Sequence, residues 1–264
     1  MRTTAILNLK GGVGKTCTCV NMAAIIAADY GKSVLVVDAD SQANTTEFFG
    51  GVPEYAHTFA DLLRDPETTQ CWFPSASCGD ICLLPADDSL MDLDLSSIES
   101  KKADVNCLRE KLDDFARYAA EDPPVRFFDH VLIDCPPAFN AACAAALLAA
   151  DDVIIPIKLD AFSLRGMANL TRQIQNMRRI NSKLRLAGLL PTMVYRSDTI
   201  LEAKAALEES KLFVFPPIRK TNKVDDMTFA QEPLIKSSPK SAACVDYRRF
   251  VKVYLEQEGG ANNG

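Results

Sequence analysis

Short runs of Val, Ile and Leu recur along the chain, separated by longer stretches with helical periodicity. Strand-like runs fall at Thr4–Leu9, Ser33–Asp38, Ile81–Leu84, Phe128–Asp134, Val153–Ile157, Leu186–Thr192 and Phe213–Phe215. Helical patterns cover Lys15–Tyr30, Val105–Ala119, Asn140–Ala150, Leu164–Asn176, Thr199–Ser210 and Ala242–Glu256. This alternation predicts βαβ units around a parallel sheet. Most of the strand-like runs are continuously apolar, as strands covered on both faces must be. The expected fold is therefore α/β, a mostly parallel twisted sheet flanked by helices on both faces. Residues 52–80 break the rhythm with Pro53, Pro66, Pro74 and the single Trp, and read as an irregular excursion carrying a short helix near Phe59–Leu63. No Gly/Ser linker divides the chain, so residues 1–258 are expected to form one domain, with 259–264 a frayed tail.

Composition adds exclusions. With 48% hydrophobic and 24% charged residues in 264, the chain is neither disordered nor of low complexity, and is long enough for a sizeable core. The longest apolar stretch, residues 141–150, is too short to span a bilayer. Nine cysteines, an odd set in a chain too large to need staples, point to reduced thiols and a cytoplasmic setting. Cys71, Cys78 and Cys82 match no paired zinc spacing.

The net charge of −6 argues at first against a nucleic-acid partner, which asks for a basic face. The charge is unevenly spread, however. Residues 1–150 carry 11 basic and 22 acidic side chains, giving −11, whereas 151–264 carry 18 and 13, giving +5. A basic surface built from the C-terminal half is compatible with that asymmetry.

The strongest chemical signal is Lys10-Gly11-Gly12-Val13-Gly14-Lys15-Thr16, placed where a strand passes into a helix. Glycines let successive backbone N–H groups curl around phosphate oxygens, and the helix N-terminus adds positive potential. Lys15 supplies charge to the terminal phosphates, the Thr16 hydroxyl can ligate Mg²⁺, and Cys17 follows on the same helix. Two acids, Asp38 and Asp40, follow the second strand, where ligands of parallel sheets bind. One could hold a Mg²⁺-bound water and the other orient the attacking water. Asp134 closes another apolar strand before Cys135-Pro136-Pro137, and burial there calls for a counter-charge such as Mg²⁺.

The loop is not a standard Walker A, since Leu9 stands where its first glycine would be. With Lys10 ahead of the glycines it resembles the deviant Walker A of the ParA/MinD superfamily, in which that signature lysine reaches the partner's ATP across a dimer. Asp38-Ala39-Asp40-Ser41-Gln42 resembles the D-x-D-x-Q switch of ParA-like ATPases, with Ser41 where the family often has Pro. Asp134-Cys135-Pro136-Pro137 resembles their Walker B. Asp152–Ile157, Ser163-Leu164-Arg165-Gly166 and Leu190–Met193 with Arg196 are similar to the ParA/Soj pattern in order and spacing, so the likeness covers nearly the whole chain, weakest at residues 52–126.

The resemblance implies a short-type ParA: ATP and Mg²⁺ sandwiched in a homodimer, slow hydrolysis stimulated by a ParB-like protein, and non-specific DNA binding near the nucleoid. It implies Lys10, Lys15 and Asp40 for catalysis; Gly11, Gly12, Val13, Gly14, Lys15, Thr16 and Cys17 for the phosphates; and Thr16, Asp38 and Asp134 for the metal. It further implies Pro216 and Pro217 beside the adenine, and Arg196, Arg219, Lys220 and Lys223 on DNA. Two relatives compete: a MinD-like ATPase, which shares the core but adds a C-terminal membrane helix, for which Arg248, Arg249 and Lys252 beside Phe250, Val251, Tyr254 and Leu255 are a mild match, and an iron protein with the same phosphate loop, using Cys78, Cys82 and Cys135. A helix docked on the core is favoured over a membrane helix.

Overall fold

The computed structural model describes residues 1–261 apart from 70, 76–80, 122–127, 197–199, 201–206 and 208–210; at 120, 161–168 and 259–261 it describes backbone alone. Among the described residues seven strands form one sheet: β1 (Arg2–Ile6), β2 (Val34–Asp38), β3 (Phe73–Pro74), β4 (Ile81–Leu84), β5 (His130–Asp134), β6 (Asp152–Lys158) and β7 (Arg185–Thr192). Their order across the sheet is β3-β4-β2-β5-β1-β6-β7, and every pairing is parallel except β3 with β4. Among the described residues the helices are α1 (Lys15–Tyr30), α2 (Asn44–Phe48), α3 (Phe59–Arg64), α4 (Leu95–Glu99), α5 (Cys107–Glu121), α6 (Ala141–Ala149), α7 (Ala161–Met177), α8 (Asn222–Ala230), α9 (Leu234–Ser237) and α10 (Ala242–Ala261).

The alternation of strand side chains explains the two-sided burial. Ala5, Leu35, Val37, Val131 and Ile133 enter a core shared with residues of α3, α5 and α6. Their neighbours Ile6, Val34, Val36 and Leu132 enter a second core shared with α1 and α10. A period of two that is apolar on both phases needs helices on both faces, which is what forms.

The sheet edge beyond β7 departs from expectation. The run Phe213–Phe215 does not become a strand; it contributes one isolated bridge, Val214 to Leu189. Its backbone still grips β7, since the Leu189 amide donates to Phe213 O at 2.8 Å and the Phe215 amide to Leu189 O at 2.8 Å. Pro216 and Pro217 stop the ladder there, because proline has no amide to continue it. Gly188 permits this close approach. A Cβ at that position would lie 2.8 Å from Phe213 O and 2.8 Å from the Phe215 ring. Gly188→Ala is therefore expected to destabilise the protein by about 1–3 kcal/mol, because a backbone oxygen cannot swing aside as a side chain can. An unchanged urea midpoint would show that this segment yields freely.

The excursion over residues 52–80 does carry its short helix, α3, closed by a capping box in which Thr58 Oγ1 accepts from the Asp61 amide and Asp61 accepts from the Thr58 amide. It also adds the short antiparallel β3, whose two residues lack any periodicity to read. The expected helix over Thr199–Ser210 falls almost wholly outside the described residues, as does Cys78. The last helix runs to Ala261, past Gly259 and Gly260 that the pattern placed in a tail. α10 is docked: Tyr247, Phe250, Val251 and Tyr254 are buried, and the Tyr254 hydroxyl meets Thr4 Oγ1 at 2.6 Å and donates to Asp152 at 3.1 Å. Arg2 and Arg185 neutralise the same buried Asp152 from β1 and β7. No helix among the described residues is long and apolar enough to cross a membrane.

Candidate functional site

The phosphate loop, residues 10–16, leads from β1 into the first residues of α1. Gly14 caps α1 with φ 87°, a left-handed conformation that a side chain would strain. Polar contacts from distant strands hold the loop in place. Asn8 Nδ2 donates to Pro156 O at 2.7 Å while Asn8 Oδ1 accepts from the Lys10 amide at 2.9 Å. Thr192 Oγ1, at the end of β7, donates to Val13 O at 2.8 Å. Asn8, an amide inside an otherwise apolar run, was the visible sequence signal for this bracing; Thr192 gave none, because its partner lies 179 residues away.

Lys15 is only 7% exposed and its Nζ lies 3.4 Å from Lys10 O, so its ammonium is folded back over the loop. Lys10 takes another course. Its Nζ meets both carboxylate oxygens of Asp160, at 2.8 and 2.9 Å, just beyond the end of β6.

β2 and β5 are neighbours in register, with Asp38 opposite Asp134, so the two carboxylates end side by side at the carboxyl edge of the sheet. Both are buried. Asp38 Oδ2 accepts from the Thr46 amide and hydroxyl at 2.8 Å each, and its Oδ1 accepts from the Asp40 amide at 3.1 Å. Asp134 Oδ2 accepts from Thr16 Oγ1 at 2.6 Å and Thr45 Oγ1 at 2.7 Å. Burial pushes both carboxyls well above the usual range, and for Asp38 the Asp134 charge adds to the push; for Asp134 the threonine bonds and Lys15 oppose it. Two carboxylates destabilised by desolvation and by each other are a place where a divalent cation gains most. Asp134 Oδ1 reinforces this: it is buried and has no hydrogen-bond partner. The residues therefore fit Mg²⁺, with Thr16, Asp38 and Asp134 as the side chains to hold it or its water shell. Bound there, the ion would neutralise charge on the phosphates of a nucleotide. Asp40 stands on the loop after β2, half-buried, with Oδ1 accepting from the Gln42 amide at 3.1 Å.

The helix α2 that supplies Thr45 and Thr46 escaped sequence reading, as did α8. For α2, only five residues long, no periodicity exists to detect; for α8, Thr221 followed by Asp225 and Asp226 was a usable start signal.

The chain after β7 meets the loop at a hollow of about 90 Å³ whose walls include Gly14, Cys17, Thr192, Met193, Ile218 and Lys220. Pro216 and Pro217 line a different hollow, with Phe213, Arg249 and Val253. The Ile218 amide donates to Pro191 O and its carbonyl accepts from the Val194 amide, which turns the chain across the end of β7 and brings residues 218–221, rather than the prolines, toward Gly14. All four basic candidates, Arg196, Arg219, Lys220 and Lys223, are exposed. Arg219 is clamped on Asp246 by two bonds of 2.8 Å, and Lys223 pairs with Asp226 at 2.8 Å within α8. The Ser163–Gly166 side chains lie outside the described residues.

Of the iron-protein candidates, Cys135 is buried in the core and Cys82 is half-buried on β4; among the described residues no group of three or more His, Cys, Asp or Glu could hold a metal. Burial pushes the Cys135 thiol up, away from the thiolate that a cluster requires.

A parallel sheet with a glycine loop at the strand-to-helix junction, a loop lysine, and acids ending the two neighbouring strands defines a P-loop ATPase. The model of a family described as an AAA domain matches residues 1–186. The chromosome partitioning protein ParA of Caulobacter vibrioides is 32% identical over 207 residues, 78% of this chain and 74% of that protein. The chromosome-partitioning ATPase Soj of Thermus thermophilus is 30% identical over 257 residues, 96% of this chain and 94% of its own length. Among solved structures, cobyrinic acid a,c-diamide synthase from Mycobacterium smegmatis, with bound ADP and magnesium, aligns with a TM-score of 0.77 and 27% identity over 99% of this chain and 96% of that one. The chain belongs to the ParA/Soj-type partition ATPases of the ParA/MinD superfamily.

Proposed function

We propose that this protein is a DNA-partition ATPase that closes into a homodimer around ATP and Mg²⁺, holds DNA without sequence preference, and hydrolyses ATP slowly under stimulation by a ParB-like partner. The observation that carries the reading is the pair of lysines on the phosphate loop, Lys15 folded over the loop and Lys10 directed outward to Asp160, beside the paired acids Asp38 and Asp134. Lys15 and the amides of Gly11–Cys17 bind the phosphates; Thr16, Asp38 and Asp134 hold the metal; Asp40 orients the attacking water; Lys10 compensates the charge that develops in phosphoryl transfer. The partition role is supported by the likeness to the chromosome-partitioning proteins of Caulobacter and Thermus. The site would work in the cytoplasm, on the nucleoid.

For DNA, the reading draws on Arg196, Arg219, Lys220 and Lys223 in the half of the chain with net charge +5. Lys220 and Arg196 carry most of it, since Arg219 and Lys223 share their charge with Asp246 and Asp226. Lys220→Ala combined with Lys223→Ala is expected to weaken ATP-dependent DNA binding by about tenfold or more while ATP turnover stays as in the unaltered protein, and the remaining binding should fall less steeply with salt. Fluorescence anisotropy with a DNA duplex across a salt series, beside a phosphate-release assay, makes the test. If turnover and DNA binding fell together, the lysines would be structural.

The membrane-helix alternative gains little, because the apolar side of α10 is already spent in the core. Arg248, one of its basic residues, is tied to Asp29 at 2.7 Å.

A further inference from the structure

We infer that Asp160 is a positioning residue that latches Lys10 within its own protomer, so that closing the ATP dimer requires the Lys10–Asp160 pair to open. The inference rests on the reading above, in which Lys10 acts on the partner's nucleotide.

Lys10 and Asp160 are separated by 150 residues and joined by a two-pronged contact of 2.8 and 2.9 Å. The backbone that carries Lys10 is tied to the strand that leads to Asp160. The Lys10 amide is held by Asn8, and Asn8 in turn holds Pro156 on β6, the strand after which Asp160 follows. The latch therefore ties the start of the phosphate loop to the β6–α7 junction, and its two ends cannot drift apart without one side chain letting go. Lys10 is 38% exposed in its side chain and Asp160 29%, so the pair is accessible to a competing anion. A triphosphate offered from outside the protomer is such an anion. It carries more negative charge than one carboxylate, and water is excluded as two protomers meet, which strengthens the new contact.

A partly exposed pair shifts an equilibrium by up to about fivefold. Each protomer in a symmetric dimer must release its own latch, so the two effects multiply, to as much as about 25-fold in the dimer dissociation constant. The latch thus sets a threshold against closure that ATP overcomes and that ADP, lacking the γ-phosphate, does not.

The test uses the full chain with Mg²⁺ and a non-hydrolysable ATP analogue, monomer–dimer equilibrium being read by sedimentation. Asp160→Asn keeps size and removes the charge, and is expected to tighten the dimer by about three- to 25-fold. Asp160→Glu retains the charge and is expected to return the constant toward that of the unaltered protein. In the Lys10→Ala background, Asp160→Asn should change nothing, because there is no lysine to release. If Asp160→Asn dimerises as the unaltered protein or more weakly, with its melting temperature preserved, the latch is overturned. Should Asp160→Asn fold poorly, the dimer constants of the unaltered protein and Lys10→Ala, compared between Asp160 and Asp160→Ser, give the same double-mutant coupling, and a coupling of zero overturns the latch equally. Lys10→Ala dimerising and turning over ATP normally would instead overturn the role of Lys10 itself, a separable outcome.

Discussion

Lys15→Ala is expected to abolish measurable ATP binding. Lys15 is the buried cation of the loop, 7% exposed and positioned over it by its approach to Lys10 O. With nucleotide bound, its ammonium would exchange a backbone carbonyl for phosphate oxygens, and a hydrogen bond to a charged group is worth about 1.5–3 kcal/mol. Two such bonds lost from a water-poor loop amount to a weakening of about two orders of magnitude or more. The loss does more than remove contacts. Lys15 also opposes the desolvation of Asp134, so without it the carboxylate form is disfavoured further and competes less well for Mg²⁺. Isothermal titration of Mg-ATP into the purified variant, with circular dichroism to show that it folds, checks this. Micromolar binding by a folded Lys15→Ala would remove Lys15 from the phosphate site.

The second large effect is expected at Asp40. Asp40→Ala should retain ATP binding and lose about two orders of magnitude in hydrolysis, the usual range for a residue that positions or deprotonates a nucleophile. The separation of the two effects follows from the local geometry. Asp38 is held by the Asp40 amide, not by its side chain, so the substitution leaves the bonds from the Asp40 and Thr46 amides to Asp38 in place. ATP-bound protein would accumulate, and DNA binding would persist long after a single addition of ATP. Single-turnover hydrolysis and the lifetime of the DNA complex measure the two halves of the expectation. Unimpaired hydrolysis in Asp40→Ala would end the assignment of that carboxylate to the attacking water.

Much of this site is legible in the sequence, because its parts are local. A run of glycines, a lysine and a threonine at a strand-to-helix junction builds its own phosphate cradle; the left-handed φ at Gly14 and the start of α1 at Lys15 are consequences of neighbouring residues. The acids ending β2 and β5 are readable for the same reason, since a carboxylate closing an apolar strand is visible in the strand itself. The apolar strands likewise announce a sheet covered on both faces. Short elements are not readable in this way. β3 has two residues and α2 has five, fewer than the periods needed to recognise them, and both are made by contacts outside themselves.

At the sheet edge, composition and topology pulled apart. Phe213–Phe215 has the residues of a strand, yet Pro216 and Pro217 limit it to one bridge on β7, and Ile218 turns the chain toward the loop while the prolines face Arg249 and Val253. A string of residues does not encode which side of a turning chain meets a glycine 200 positions earlier.

The class of fold, the phosphate loop and the acids at the strand ends are each written in a few contiguous residues whose backbone preferences and burial act locally. Which charges meet is settled in three dimensions. The tertiary fold placed Asp38 beside Asp134, clamped Arg219 on Asp246, strapped Val13 to Thr192 and joined Lys10 to Asp160 across 150 residues. Those pairings depend on the order of strands in the sheet and on the paths between them. Electrostatic and hydrogen-bond energies fall off over a few ångströms in space, whatever the separation along the chain.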